Sequence, residues 1–192
     1  MVAQAQFSSH YDAGSYVLKN QQNERRYGSL KLKNGRKLLI KTETGKKQVL
    51  KAKQVLNCTI WSRYFTVVHN VNFTINSITV TESAVFAQTL DSGKVTLLRY
   101  DHLLNSGSNW LFLYRYPITI YLMRTQPASS FVAAWETSDE FYFRQQVRQF
   151  LDTRNDLVEA LDDGLVTFQN FPNAVRALNR NLPFQPLAIP EP

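Results

Sequence analysis

Cysteine is almost absent from this chain, which carries Cys58 alone. One thiol excludes an intramolecular disulfide and the paired cysteines of zinc ribbons and redox motifs. Its neighbours in Val55-Leu56-Asn57-Cys58-Thr59-Ile60-Trp61 are strand-forming and largely apolar, which predicts a buried, inert thiol. Long apolar runs are missing too: residues 110–123 come nearest, broken by Arg115 and Pro117, and fall short of the roughly 20 residues that span a bilayer. Gly-x-Ser-x-Gly, the phosphate-cradling Gly-x-x-x-x-Gly-Lys, Gly-x-Gly-x-x-Gly and His-Glu-x-x-His are all absent, so hydrolytic, phosphoryl-transfer and dinucleotide chemistry lose their usual footholds. Histidine is scarce, and His10, His69 and His102 fall in separate segments. The one adjacent carboxylate, Asp101, neighbours His102 and would point to the opposite face of a strand. Asp162-Asp163 lacks the alternating oxygen ligands of a calcium loop and reads as a solvated helix end. No metal or cofactor is implied.

What is present is patterned as strands first and helices last. Residues 16–18 form a short strand and residues 20–23 a polar turn. A second strand, residues 26–33, follows, with Leu30 and Leu32 on one face and Ser29, Lys31 and Lys33 on the other. Asn34-Gly35 leads into residues 37–41, and Asn-Gly in a two-residue loop is a strong hairpin signal because both positions tolerate positive φ. Residues 48–50, 55–61, 64–68, 72–80, 85–90 and 94–100 continue the β pattern. Residues 105–109 are a loop, residues 111–116 and 118–123 are strands interrupted at Pro117, and residues 131–135 supply a last strand.

The period then changes. Thr137-Ser138-Asp139-Glu140 offers an N-cap with acid in the first turn, and Phe143, Val147, Phe150 and Leu151 recur at helical spacing. A second helix over residues 155–163 ends at Gly164, and a third over residues 172–181 starts with Pro172 at its first position. The expectation is an α+β fold: a mostly antiparallel β meander or open barrel followed by two or three C-terminal helices, beginning near residue 138. Residues 1–13 read as a flexible N-terminus, 14–181 as a single β-rich domain, and 182–192 as a proline-rich tail.

Charge is the uneven property. The net charge is +7, and the basic excess lies before residue 54, while acidic residues outnumber basic ones from residue 138 onward. Alternation puts Lys31, Lys33, Lys37 and Lys41 on one face of the first hairpin, opposite Leu30, Leu32, Leu38 and Ile40. This face either meets an anionic polymer or surface, or is a solvated face whose lysines keep sheet edges from pairing. Trp110, Tyr114, Tyr116 and Tyr121 are dense enough for a sugar-stacking platform, although alternation sends half of them into a core.

The stretches Gly14-Ser15-Tyr16-Val17-Leu18 with Tyr27-Gly28-Ser29-Leu30, Ser92-Gly93-Lys94-Val95-Thr96-Leu97-Leu98-Arg99-Tyr100, and the helical run from Phe143 through Gly164 to Val175-Arg176-Ala177-Leu178-Asn179 resemble a group of small, exported, largely uncharacterised proteins of Bacteroidota. The resemblance implies an envelope location and a removed signal peptide, and supplies no catalytic residues. Ala3-Gln4-Ala5 matches the small-residue pattern of a signal-peptidase site. The location expected is therefore periplasmic or extracellular, or cytoplasmic if Met1 is the native start. Three functions compete: a non-enzymatic exported domain that binds or scaffolds at the cell envelope, a nucleic-acid-binding domain using a basic sheet face, and a hydrolase whose site is assembled only by folding. The nucleic-acid reading needs aromatics among the basic residues, and the first hairpin offers only Tyr27.

Overall fold

The computed structural model describes residues 10–42, 44–75, 78–106, 114–136 and 140–186. Among these, ten strands precede three helices. The strands are β1 Asp12–Leu18, β2 Gln21–Lys33, β3 Lys37–Lys41, β4 Lys47–Lys51, β5 Val55–Ile60, β6 Arg63–Ile75, β7 Ile78–Asp91, β8 Thr96–Ser106, β9 Tyr114–Arg124 and β10 Val132–Trp135. The helices are α1 Glu140–Leu151, α2 Asn155–Asp162 and α3 Phe171–Arg180. The strands form an open antiparallel sheet in the order β10-β9-β8-β7-β6-β5-β1-β2-β3-β4, so the fold is α+β and the barrel does not close. A simple meander is not what forms, because β1 pairs with β5 on one side and β2 on the other. The chain makes two compact units, Met1–Thr89 with Arg99–Thr119 and Leu90–Leu98 with Ile120–Pro192.

In the first unit a short connection dictates curvature. β4 is an edge strand and β5 lies four places away in the sheet, yet a single helical turn, Ala52–Gln54, joins them. Four strand spacings in a flat sheet come to about 19 Å, whereas the chain from residue 51 to residue 55 reaches at most about 14 Å. The sheet must therefore curl, and its inner face encloses a core containing Leu30, Leu32, Leu38, Ile40, Leu50, Cys58, Phe65 and Phe86. Leu30, Leu32, Leu38 and Ile40 are buried as alternation requires, and each contributes about 1.5–3 kcal/mol relative to exposure. Asn34 and Gly35 have φ of 57° and 60°, the left-handed values of the expected turn. The loop is one residue longer than expected, since the ladder pairs Lys33 with Lys37 and leaves Arg36 outside it. That extra residue lets the tip dock: the Gly35 carbonyl accepts from the Phe86 N–H at 2.7 Å, and a Cβ on Gly35 would lie 2.6 Å from the Tyr100 ring.

Several strand limits differ from the sequence expectation. β2 starts at Gln21, so the turn is only Lys19-Asn20, and β6 runs through Asn70, which takes a φ of 54°. Residues 72–80 are not one strand but straddle the β6–β7 hairpin, whose tip at 76–77 lies outside the described residues. β9 continues through Pro117 instead of breaking there. β10 pairs only with Ile120 to Met123, so Pro117 has one side where no β10 partner awaits its missing N–H.

The second unit is built by its helices. Phe143, Val147, Phe150 and Leu151 of α1, Leu157 and Leu161 of α2, and Phe171, Val175 and Leu178 of α3 cover Val95, Leu97, Tyr121, Met123 and Ala134 from the strand ends. The residues expected to cap α1, 137–139, lie outside the described set. Gly164 (φ +75°) ends α2 as expected, and α3 begins one residue earlier than expected, placing Pro172 at its second position. Asn179 fastens α3, accepting from the Val95 N–H at 2.9 Å and donating to the Val95 carbonyl at 2.8 Å and Asp91 Oδ1 at 2.9 Å. No helix among the described residues is long and apolar enough to cross a membrane.

Candidate binding face

Strand register converts the predicted lysine set into a larger array. On the outer face of β2, β3 and β4, Lys33 lies opposite Lys37, which lies opposite Lys51; two residues along, Lys31 opposes Leu39, which opposes Val49; two further, Ser29 opposes Lys41, which opposes Lys47. Lys31, Lys33, Lys37 and Lys41 thus do share one face, and Lys47 and Lys51, which the sequence pattern did not assign to it, extend that face to the sheet edge. Like charges directly opposite each other are destabilising. The rows of lysine here flank a strip formed by Leu39 and Val49, the latter well exposed.

The same outer face continues across β1 and β5. Ser15 pairs with Tyr27 on one side and Thr59 on the other, while Ala13 pairs with Ser29 and its carbonyl accepts from the Trp61 N–H at 2.9 Å. The result is a groove of about 530 Å³ with Tyr27, Trp61 and Lys41 in its lining and the backbone of Gly14 and Gly28 along it. Both aromatic rings are exposed, 74% for Tyr27 and 75% for Trp61. Gly14 is required there because a Cβ would collide with the Thr59 carbonyl oxygen of the neighbouring strand. Trp61 occupies the two-residue turn between Ile60 and Arg63 with φ 54°. A bulky aromatic in that region costs about 1–3 kcal/mol relative to an ordinary conformation, and an exposed ring recovers little of that by burial.

A second polar group is buried in the first unit. Glu82 is 4% exposed and His102 7% exposed, and Arg36 pairs with the Glu82 carboxylate. The Tyr100 hydroxyl reaches Glu82 Oε1 at 3.5 Å and His102 Nδ1 at 3.2 Å. His102 Nδ1 lies 3.5 Å from Glu82 Oε1, and Phe73 packs edge-on against the imidazole at 5.4 Å. Burial holds the His102 imidazole below its ordinary pKa, with Arg36 acting in the same direction and Glu82 opposing. Burial and the Glu82 charge push the Tyr100 phenol up. A carboxylate, an imidazole and a phenol at these distances have the residue types for proton transfer, while the Arg36 contact makes the group a clasp that holds the hairpin tip against β7 and β8. Burial pushes the Cys58 thiol up to about 12, so it stays protonated and inert as the sequence implied.

The sequence offers Asp91 or Asp101 as an acid that folding could bring to a histidine, but the carboxylate that meets His102 is Glu82, and Asp91 is held by Asn179. The neighbouring Asp101 is engaged elsewhere, by Arg99 at 2.9 Å and by the Thr119 hydroxyl at 3.0 Å. The i, i+2 spacing of Tyr100 and His102 was the signal for one face; the third member comes from another strand. Of the aromatics considered for a sugar platform, Tyr121 is in the core of the second unit, 4.6 Å from the Phe168 ring, and the side chains at 110, 114 and 116 lie outside the described residues. The exposed aromatics of the groove come instead from β2 and the β5–β6 turn. Among the described residues, no three of His, Cys, Asp and Glu stand together as metal ligands would. No protein-family model matches this chain, and no curated protein or solved structure matches it.

Proposed function

We propose that this chain is a non-enzymatic binding domain that holds an anionic polymer against the outer face of β2, β3 and β4 at the cell envelope. The observation that carries the reading is lysine set opposite lysine across three strands, Lys33-Lys37-Lys51 and Lys41-Lys47. Such an arrangement repels itself in the free protein and gains most when a multivalent anion lies across it. Edge protection alone asks for isolated lysines on β4, not for matching rows two strands further in. The envelope location rests on the Ala3-Gln4-Ala5 pattern and the resemblance to exported proteins. Replacing Lys31, Lys33, Lys37 and Lys41 together by Gln is expected to abolish retention on an anionic resin at moderate salt with the melting temperature equal to or above the parent's. Retention equal to the parent removes the proposal.

The nucleic-acid reading draws support from one structural fact: Tyr27, Trp61 and Tyr64 are exposed aromatics on or beside the basic face, supplying stacking groups that the hairpin alone lacked. Competition between a single-stranded oligonucleotide and an acidic polysaccharide for the same protein separates the two readings.

A further inference from the structure

The groove beside the lysine rows differs from them in chemistry. Its described lining combines two exposed aromatic rings, Tyr27 and Trp61, with the hydroxyls of Ser15, Ser29 and Thr59 and a single ammonium, Lys41. Ser15 is buried, and its Oγ accepts from Arg25 at 3.0 Å. Trp61 and Lys41 stand at opposite ends of one cross-strand row, Trp61-Ala13-Ser29-Lys41, separated by three strand spacings or about 14 Å. Trp61 is held at this place in a left-handed turn conformation that glycine or asparagine would adopt more readily, with its ring in solvent. Turn formation does not call for this residue, so the ring itself is what the position supplies.

We infer that this groove binds an acidic sugar residue of the anionic polymer, an inference that rests on the function proposed above and names its ligand class. Each part of the lining has a counterpart in such a ligand. The aromatic faces match the apolar C–H face of a pyranose ring, the neutral hydroxyls match its hydroxyl groups, and Lys41 matches one carboxylate. An interior deoxynucleotide keeps no free sugar hydroxyl to meet the serine and threonine hydroxyls of the described lining, whereas an acidic pyranose keeps several. Charge complementarity is continuous with the lysine rows, since Lys41 belongs to both the groove and the face.

The test is calorimetric titration of the full chain with a de-esterified oligogalacturonate, its fully methyl-esterified counterpart and an oligothymidylate of similar length. The acidic oligosaccharide is expected to bind at least about tenfold more tightly than either comparator. Trp61→Gly relaxes the turn, so its melting temperature should equal or exceed the parent's, while affinity for the oligogalacturonate falls about tenfold or more. Tyr27→Ala should weaken binding similarly. Unchanged oligogalacturonate affinity in folded Trp61→Gly overturns the sugar subsite, and tighter binding of oligothymidylate assigns the groove to nucleic acid and also overturns it. Neither result bears on resin retention by the lysine rows, so the broader reading is judged separately and fails if the parent is not retained or if the Lys31, Lys33, Lys37 and Lys41 variant is retained like the parent.

Discussion

Both units are rich in charge, and the helices of the second handle it differently from the outer sheet face of the first. In the second unit the arginines meet carboxylates close at hand: Arg144 reaches Glu140 at 3.0 Å, Arg154 Nε reaches Asp156 at 2.7 Å, Arg148 pairs with Asp162, and Arg176 lies 3.6 Å from the buried Asp91. On the outer face of the first unit, the cross-strand neighbour of a lysine is in several places another lysine. Neutralised charge is a solubility and packing device, worth little per exposed pair. Accumulated charge of one sign is a field, and a field has consequences for partners. The net charge of +7 does not distinguish the two arrangements; the register of three strands does.

The sharpest way to break this contrast is to remove the helices. Truncation after Trp135 deletes the cover over Val95, Leu97, Tyr121 and Met123, each large side chain losing about 1.5–3 kcal/mol of burial. The fragment should aggregate on expression; a soluble, cooperatively melting fragment would show that the second unit does not need its helices. A smaller effect isolates the polar anchoring of that unit. Asn179→Ala removes three hydrogen bonds to Val95 and Asp91 and leaves a buried carboxylate short of a donor, so urea denaturation should show a loss of about 1–3 kcal/mol.

The buried clasp of the first unit responds to pH. Because His102 titrates below its usual 6.5 when folded, the unfolded chain takes up the proton first, and stability falls as pH drops below that value. The melting temperature of the parent should decline between about pH 7.5 and about pH 5 more steeply than that of His102→Gln, since only the parent carries this linkage. Parallel slopes would mean that the imidazole is equally protonated in both states. The smallest expected change tests the lysine rows in the free protein. Lys37→Gln removes a charge flanked by Lys33 and Lys51 and should raise stability by about 0.2–1 kcal/mol at low salt. The gain should shrink as screening shortens to about 3 Å near molar salt.

Much of this molecule is determined by local pattern. Strict alternation in residues 29–41 buries Leu30, Leu32, Leu38 and Ile40 and turns Lys31, Lys33, Lys37 and Lys41 outward, because a one-residue slip would reverse every side chain. Phe143, Val147, Phe150 and Leu151 mark the buried stripe of α1 in the same way, and Gly164 marks the end of α2. Periodicities of two and of about 3.6 residues are properties of neighbouring positions, so the sequence carries them. The sites depend on distant ones. Only the pairing of β4 with β3 adds Lys47 and Lys51 to the face, and only the placement of β1 between β2 and β5 brings Trp61 to Tyr27 and Lys41. Glu82 meets His102 because β7 and β8 present the two on one buried side, while the nearer carboxylate, Asp101, faces away to Arg99 and Thr119. Alternation decides which side of its own strand a residue takes; which strands lie beside it in the first unit is decided by the curl of that unit's strands around their core, to which no short stretch of sequence refers.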